Sequence, residues 1–270
     1  MKYIVIENNL EKIKQYIDAG VERIMIDLEL LDKIKRQEGL DSFITDHTID
    51  DVAKVKSLIK HKNNLTEKPE LMVRINHYNQ NSKNEIKEAI KAGADIIMLP
   101  FIQNISEVRS TINIIQDIDS NIKFIPLIET IYSFNNLEEI CKLPNITEIY
   151  LGLNDLHIER KMQFMFELLT DGSVEHFANI ANKYNIIFGF GGIAAPNIGA
   201  IKAEDLIVIH AYLGSSMVIL GRSFKNNSKN YQADLEHLST LFFKAKKTHK
   251  EELQNIISKI KKNILALSTK

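Results

Sequence analysis

Residues 123–130 read KFIPLIET and residues 148–155 read EIYLGLND. Each stretch opens as a short, continuously apolar run and closes on a carboxylate, Glu129 in the first and Asp155 in the second. A run that is apolar at every position suits a strand buried on both faces, the environment of a parallel sheet covered by helices. Lys123–Ile128 and Glu148–Leu153 are therefore expected as strands five and six. Moving outward, the same pattern recurs at Tyr3–Ile6, Arg23–Leu28, Leu71–Ile75 and Asp95–Leu99, then at Ile186–Phe190 and Met217–Leu220. Between these runs lie longer amphipathic stretches, such as NNLEKIKQYIDAG, SKNEIKEAIKAGAD and ISEVRSTINIIQDI. Gly20 and Gly93 stand where helices of this kind end.

Strands alternating with helices, at about 30 residues per unit, predict an α/β fold and specifically a (β/α)8 TIM barrel. An open doubly wound sheet is the competing architecture. It would normally carry a G-x-G-x-x-G turn after the first strand, which is missing here; GFGG at 189–192 comes too late and has the wrong spacing. Two regions exceed the repeat. Leu30–Pro69 holds a helix at Asp50–Ile59, and Leu30–Asp46 reads as an extra loop on the rim where barrel sites lie. The tail from Tyr231 onward holds two helical patterns, the second with Leu253, Ile256, Ile260, Ile264 and Leu267 opposite Lys259, Lys261 and Lys262. That stripe fits packing on the core, a subunit interface or a membrane surface. No linker divides the chain, so residues 1–225 are expected as the barrel and 226–270 as a C-terminal helical extension of the same domain, suited to oligomer packing.

Composition removes several classes of function. Across 270 residues, 34 Lys and Arg face 35 Asp and Glu, for a formal net charge of -1. Such a balance gives no general attraction to nucleic acid or to an anionic membrane. Cys141 is the one cysteine, so an intrachain disulfide and a cysteine metal cage are both excluded. It reads as a small buried apolar residue or, alternatively, a reactive thiol. No apolar run approaches the roughly 20 residues of a membrane span, and the first run meets Glu7 too early for a signal-peptide core. A cytoplasmic location follows as an expectation.

Barrel chemistry sits at the C-terminal ends of the strands. Strand two closes on Asp27 and Glu29, strand three carries Arg74 and ends at Asn76, strand five ends in Glu129 and Thr130, and strand six in Asn154 and Asp155. Carboxylates closing consecutive strands, about 4.8 Å apart, repel unless a cation or a proton lies between them. One or two carboxylates with waters and substrate oxygens commonly hold Mg²⁺; a shared proton or salt bridges to Arg74 are the alternatives. Arg74 suits bidentate capture of a substrate carboxylate, or else balances the charge of Glu129. Gly189, Gly191 and Gly192, with Gly221 and Arg222, could hold an anion after strands seven and eight or simply permit tight turns.

Four segments together, VRIN around Arg74, GADIIMLP at Gly93–Pro100, IPLIET around Glu129 and GLNDL at Gly152–Leu156, resemble the HpcH/HpaI aldolase and citrate lyase family. The similarity runs from about Asp18 to Phe224, with the four words in register on the expected strands. The resemblance implies a barrel of the phosphoenolpyruvate/pyruvate-binding type. It implies Mg²⁺, Mn²⁺ or another divalent metal on Glu129 and Asp155, and contact of Arg74 with a bound 2-oxo acid. Gly152 and Glu29 are then expected beside the substrate, and Arg36 in the rim loop could meet a substrate anion. The implied activity is a carbon–carbon lyase, a class II-type aldolase working through a metal-stabilised, pyruvate-like enolate with an aldehyde partner. Claisen-type cleavage of an acyl-CoA and a non-catalytic keto-acid-binding barrel are the alternatives. The resemblance also implies a homo-oligomer, a trimer or hexamer, packed through C-terminal helices. Leu30 departs from it: the aldolase branch has a His after the Glu ending strand two, and the citrate-lyase-like branch an acidic residue. Among the remaining candidates for proton transfer, His47 lies before the helix that follows strand two, where Thr48 or Asp46 could be the cap and His47 a bystander. His157 follows Asp155, and His210, in a helical segment, reads as a satisfied half-buried residue.

Overall fold

In a computed structural model of the chain, residues 1–31, 46–62 and 68–268 are described. The eight apolar runs become eight strands, β1 (Lys2–Ile6), β2 (Arg23–Asp27), β3 (Glu70–Arg74), β4 (Ile96–Leu99), β5 (Lys123–Ile128), β6 (Glu148–Leu151), β7 (Ile187–Ile193) and β8 (Met217–Leu220). Each pairs in parallel with its neighbours in chain order, and β8 closes on β1. The fold is thus a closed (β/α)8 barrel with surrounding and additional helices.

Two boundaries depart from the sequence reading. β6 stops at Leu151 instead of Leu153, because Gly152 is already the cap of a helix at Leu153–Glu159. Asp155 accordingly sits in the first turn of that helix and not on the strand. β7 runs on to Ile193, so Gly189, Gly191 and Gly192 lie within a strand and form neither a turn nor a loop after it. The physical reason is Tyr150. A Cβ on Gly189 would lie 2.5 Å from its ring and 2.4 Å from the Met217 carbonyl oxygen. At the register shift between Gly189 and Gly192, the Tyr150 hydroxyl replaces the missing ladder bond. It donates to the Gly191 carbonyl at 2.7 Å and accepts from the Ile219 amide at 2.8 Å.

The barrel interior is layered, as expected when alternate residues of each strand point inward. Ile4, Met25, Met72, Ile96, Met98, Ile125, Leu127, Tyr150 and Met217 fill its middle. Below them Arg23, with no exposed surface, donates to Glu148 at 2.8 Å and to Glu70 at 2.8 Å. That network closes the N-terminal end with paired charge, since an unpaired buried guanidinium would be strongly unfavourable. Above the apolar layer, two residues further along each strand, come Asp27, Arg74 and Glu129. The outer core packs helices on the sheet, and Cys141 sits in it with its thiol pushed up to about 12 by burial.

The helix predicted at Asp50–Ile59 spans Ile49–His61. Thr48 precedes it, and its amide and hydroxyl donate to Asp51 at 2.9 and 3.0 Å. The rim loop around Arg36 lies outside the described residues; its first two residues, Leu30 and Leu31, are held by the Asn76 side-chain oxygen, which accepts both amides at 2.8 Å. The tail forms two helices, Tyr231–Lys247 and Lys250–Ser268. In the second, Leu253, Ile260 and Ile264 of the predicted stripe are buried with Ile257 and pack on the body of the protein, whereas Ile256 and Leu267 are exposed. No helix among the described residues is long and apolar enough to cross a membrane.

Candidate active site

The strands carry their polar C-terminal residues to one mouth. In the β2–β3 register Asp27 stands opposite Arg74. The guanidinium grips that carboxylate at both ends: Nε donates to Oδ1 at 2.8 Å and Nη2 to Oδ2 at 2.7 Å. Glu29 lies 3.5 Å from the same Nε. Burial works against the charge on Arg74, but Asp27 and Glu29, then Glu129, hold its proton more firmly than usual. Arg74 is therefore ion-paired with Asp27 and Glu29, whereas the sequence offered charge balance for Glu129 as the alternative to substrate capture. Nη1 makes no hydrogen bond among the described residues and remains available to a bound anion.

Glu129 is 3% exposed, one residue past the end of β5. Its Oε1 accepts the Phe101 amide at 3.0 Å. Phe101 follows β4 with φ of 49°, a left-handed backbone that few non-glycine residues adopt, and one often found where a site demands it. On the other side the carboxylate lies directly over Gly152. A Cβ there would stand 2.7 Å from Oε2 and 2.8 Å from the Glu129 Cβ. Gly152 thus makes room for the Glu129 side chain. Burial, with like charge from Asp155 and Glu29, raises the Glu129 carboxyl well above the ordinary carboxylate value, while Arg74 and the Phe101 amide oppose the shift.

Asp155, partly exposed in the first turn of its helix, completes the pair. The donor set suits a divalent cation. Among the described residues, Asp27 and Glu29 are ion-paired with Arg74, while Asp155 and Glu29 act on Glu129 as like charges. The charge of Asp155 adds to the cost of ionising Glu129, which a cation would relieve. Among the described residues no group of three or more His, Cys, Asp or Glu side chains could hold a metal. The protein would supply two oxygen ligands, with waters and substrate oxygens completing the shell, an arrangement that fits Mg²⁺.

The histidines separate. His47 is brought to the mouth: 6% exposed, it accepts the Asp27 amide on Nδ1 at 3.0 Å. Burial lowers its pKa, Asp27 works against that shift and Lys225 adds to it. His157 is not brought in. It lies two positions after Asp155 on the same helix, so the two side chains leave on opposite sides, and its Nδ1 is engaged with the Asn154 carbonyl. His210 is buried further than expected, stacked on Phe190 at 3.8 Å and hydrogen-bonded to Ser215 at 2.8 Å, and burial pushes its pKa down to about 3. Arg222 is exposed, on the first residue of a six-residue helix at Arg222–Asn227 after β8. The clamp on Arg74 and the Phe101 amide were absent from the sequence reading. The first was discoverable by aligning β2 with β3; the second leaves no trace in residue type.

The model of the HpcH/HpaI aldolase/citrate lyase family matches residues 45–168, bearing out the resemblance carried by the four motifs. Among solved structures, an HpcH/HpaI aldolase from Desulfitobacterium hafniense DCB-2 is similar with a TM-score of 0.61 at 14% identity, over 92% of this chain and 93% of that one. An HpcH/HpaI aldolase/citrate lyase family protein from Burkholderia cenocepacia J2315 is similar with a TM-score of 0.62 at 13% identity, over 89% and 94%. At these identities the structures speak for the fold. No curated protein matches the chain.

Proposed function

We propose that the protein is a divalent-metal-dependent carbon–carbon lyase that cleaves or forms a bond between a 2-oxo acid and an aldehyde. The observation that carries this reading is the Glu129 carboxyl, buried over Gly152 and raised by burial and by the like charges of Asp155 and Glu29. A site arranged in this way favours a cation. Glu129 and Asp155 are the residues to hold it, Gly152 and the Phe101 amide keeping the Glu129 carboxylate in place. A divalent ion bound there supplies positive charge next to the keto and carboxylate oxygens of a 2-oxo acid while a proton leaves the adjoining carbon. Arg74, steered by Asp27, adds a second positive group with donors to spare for the same oxygens. The apolar layer beneath, with Leu127 and Tyr150, closes the floor to water, which strengthens each of these interactions.

The test is proton NMR of pyruvate in D2O with Mg²⁺ or Mn²⁺, beside Glu129→Gln. Loss of the methyl signal that requires both metal and Glu129 is expected. Absence of exchange, with metal binding intact, would refute the pyruvate reading and turn attention to acyl-CoA thioesters. We further propose a homo-oligomer packed through the C-terminal helices, where Phe243 is 56% and Ile256 36% exposed. Light scattering after size exclusion would show a monomer if that is wrong.

A further inference from the structure

The contact between His47 and Asp27 joins a backbone donor to a ring nitrogen. An amide can only donate, so Nδ1 is an acceptor and the ring proton belongs on Nε2. The place of this contact in the sheet gives it a consequence. β1 and β2 are paired as far as Ile6 and Met25, with the Glu7 amide donating to the Met25 carbonyl at 3.3 Å. Beyond that point β1 turns away toward its helix at Leu10–Asp18. The Asp27 amide lies past the last paired residue of β1, and the imidazole takes the position of the missing acceptor. On its other edge β2 continues to be held, the Leu28 amide donating to the Arg74 carbonyl at 2.8 Å. The residue fixed in this way is the one whose carboxylate grips Arg74 at 2.8 and 2.7 Å.

We propose that His47 is a positioning residue, a surrogate strand partner that fixes the backbone of Asp27 and through its carboxylate the direction of the Arg74 guanidinium. The inference rests on the reading of Arg74 as the group that meets the 2-oxo acid, and it replaces proton transfer as the role of His47. Its surroundings suit a neutral ring: Asp27, Asp46 and Asp51 favour the imidazolium, while burial and Lys225 oppose it, and burial is the largest influence. A charged ring would turn an N–H against the Asp27 N–H and break the contact.

Three variants separate positioning from acid–base work. His47→Asn keeps an acceptor near the place of Nδ1, His47→Gln reaches only toward Nε2, and His47→Ala has neither. None of the three can exchange protons near neutral pH. Positioning predicts that the Ala and Gln variants weaken pyruvate binding, measured calorimetrically with Mg²⁺, by about tenfold, while Asn stays within about twofold of the parent. Equal loss in all three variants would overturn the proposal. A second measurement needs no substrate: ¹⁵N-histidine NMR of the parent protein is expected to show His47 bare on Nδ1 and protonated on Nε2 at pH 7. The Asp27 amide proton is expected to move upfield in the Ala and Gln variants but not in Asn. A protonated Nδ1, or an Asp27 amide unmoved in the Ala variant, would refute the positioning role. Failure of the lyase reading alone would leave these spectra unchanged.

Discussion

Replacing Gly152 by Ala isolates one feature of the site, the space its missing side chain leaves for Glu129. The backbone of Gly152 has φ of -83° and ψ of 101°, which alanine adopts without strain. At a helix cap Ala is less favourable than Gly by roughly 0.5–1 kcal/mol. What remains is steric. The new methyl would stand 2.7 Å from Oε2 and 2.8 Å from Cβ of Glu129, where non-bonded carbons rest at about 3.5–4.0 Å. The Glu129 side chain therefore has to retreat by several tenths of an ångström, and it is only 3% exposed, with one oxygen held by the Phe101 amide. Overpacking of this kind costs about 1–3 kcal/mol. Because the displaced group is the proposed ligand, affinity for Mn²⁺ measured by electron paramagnetic resonance is expected to fall by at least tenfold. The metal-free protein should melt lower by a few degrees, at about 2–4 °C per kcal/mol for a chain of this size. Serine at the same place should behave like Ala. Unchanged Mn²⁺ affinity in Gly152→Ala, with the protein folded, would show that Glu129 is not held against Gly152 or does not bind the metal, and the account of the site would fail.

Three further outcomes follow from the same contacts. Asp27→Asn removes the charge that offsets the buried Arg74 guanidinium while keeping its shape. It is expected to cost about 2–4 kcal/mol in denaturant unfolding and to raise the KM for pyruvate; an unaltered KM would count against the steering of Arg74. Tyr150→Phe strips the hydroxyl bridging β7 and β8, leaving the Ile219 amide and the Gly191 carbonyl without their partner. A loss of about 2 kcal/mol is expected, and a wild-type melting temperature would refute the bridge. His210, with its pKa pushed down to about 3 from an ordinary 6.5, binds its proton more readily in the unfolded chain. Its contribution to stability is full above 6.5 and is lost as pH falls toward 3, so His210→Phe is expected to flatten the acid side of the stability profile. An equally steep acid limb in that variant would contradict the assignment.

How far the sequence could be read depended on whether information lay in residue type or in backbone direction. Continuous apolar runs are a property of composition, and all eight strands were legible from them. Their ends were less so, because Gly152 and Leu153 are apolar by letter but belong to a helix start, and the glycines of β7 resemble a turn until Tyr150 is seen to fill their side. The carboxylates and Arg74 announced themselves as charges ending apolar runs. Their partnership did not, since opposing Asp27 to Arg74 requires the strand register, which single-sequence periodicity leaves free. The two contacts that orient the site lie furthest from sequence. Phe101 acts through an amide in a left-handed backbone, and any residue type supplies an amide. His47 arrives from the other end of the extra loop, and nothing in its neighbours announces that β1 has turned away from Asp27. The same division explains why the charge balance of the whole chain, -1, said nothing of the mouth. At the mouth Glu129 is buried beside Asp155 and Glu29, while the opposite end of the barrel pairs Arg23 with Glu148 and Glu70. One end satisfies its buried charges from within the chain. The other buries Glu129 beside the like charges of Asp155 and Glu29, and that difference between two ends of one barrel is what the proposed metal would draw on.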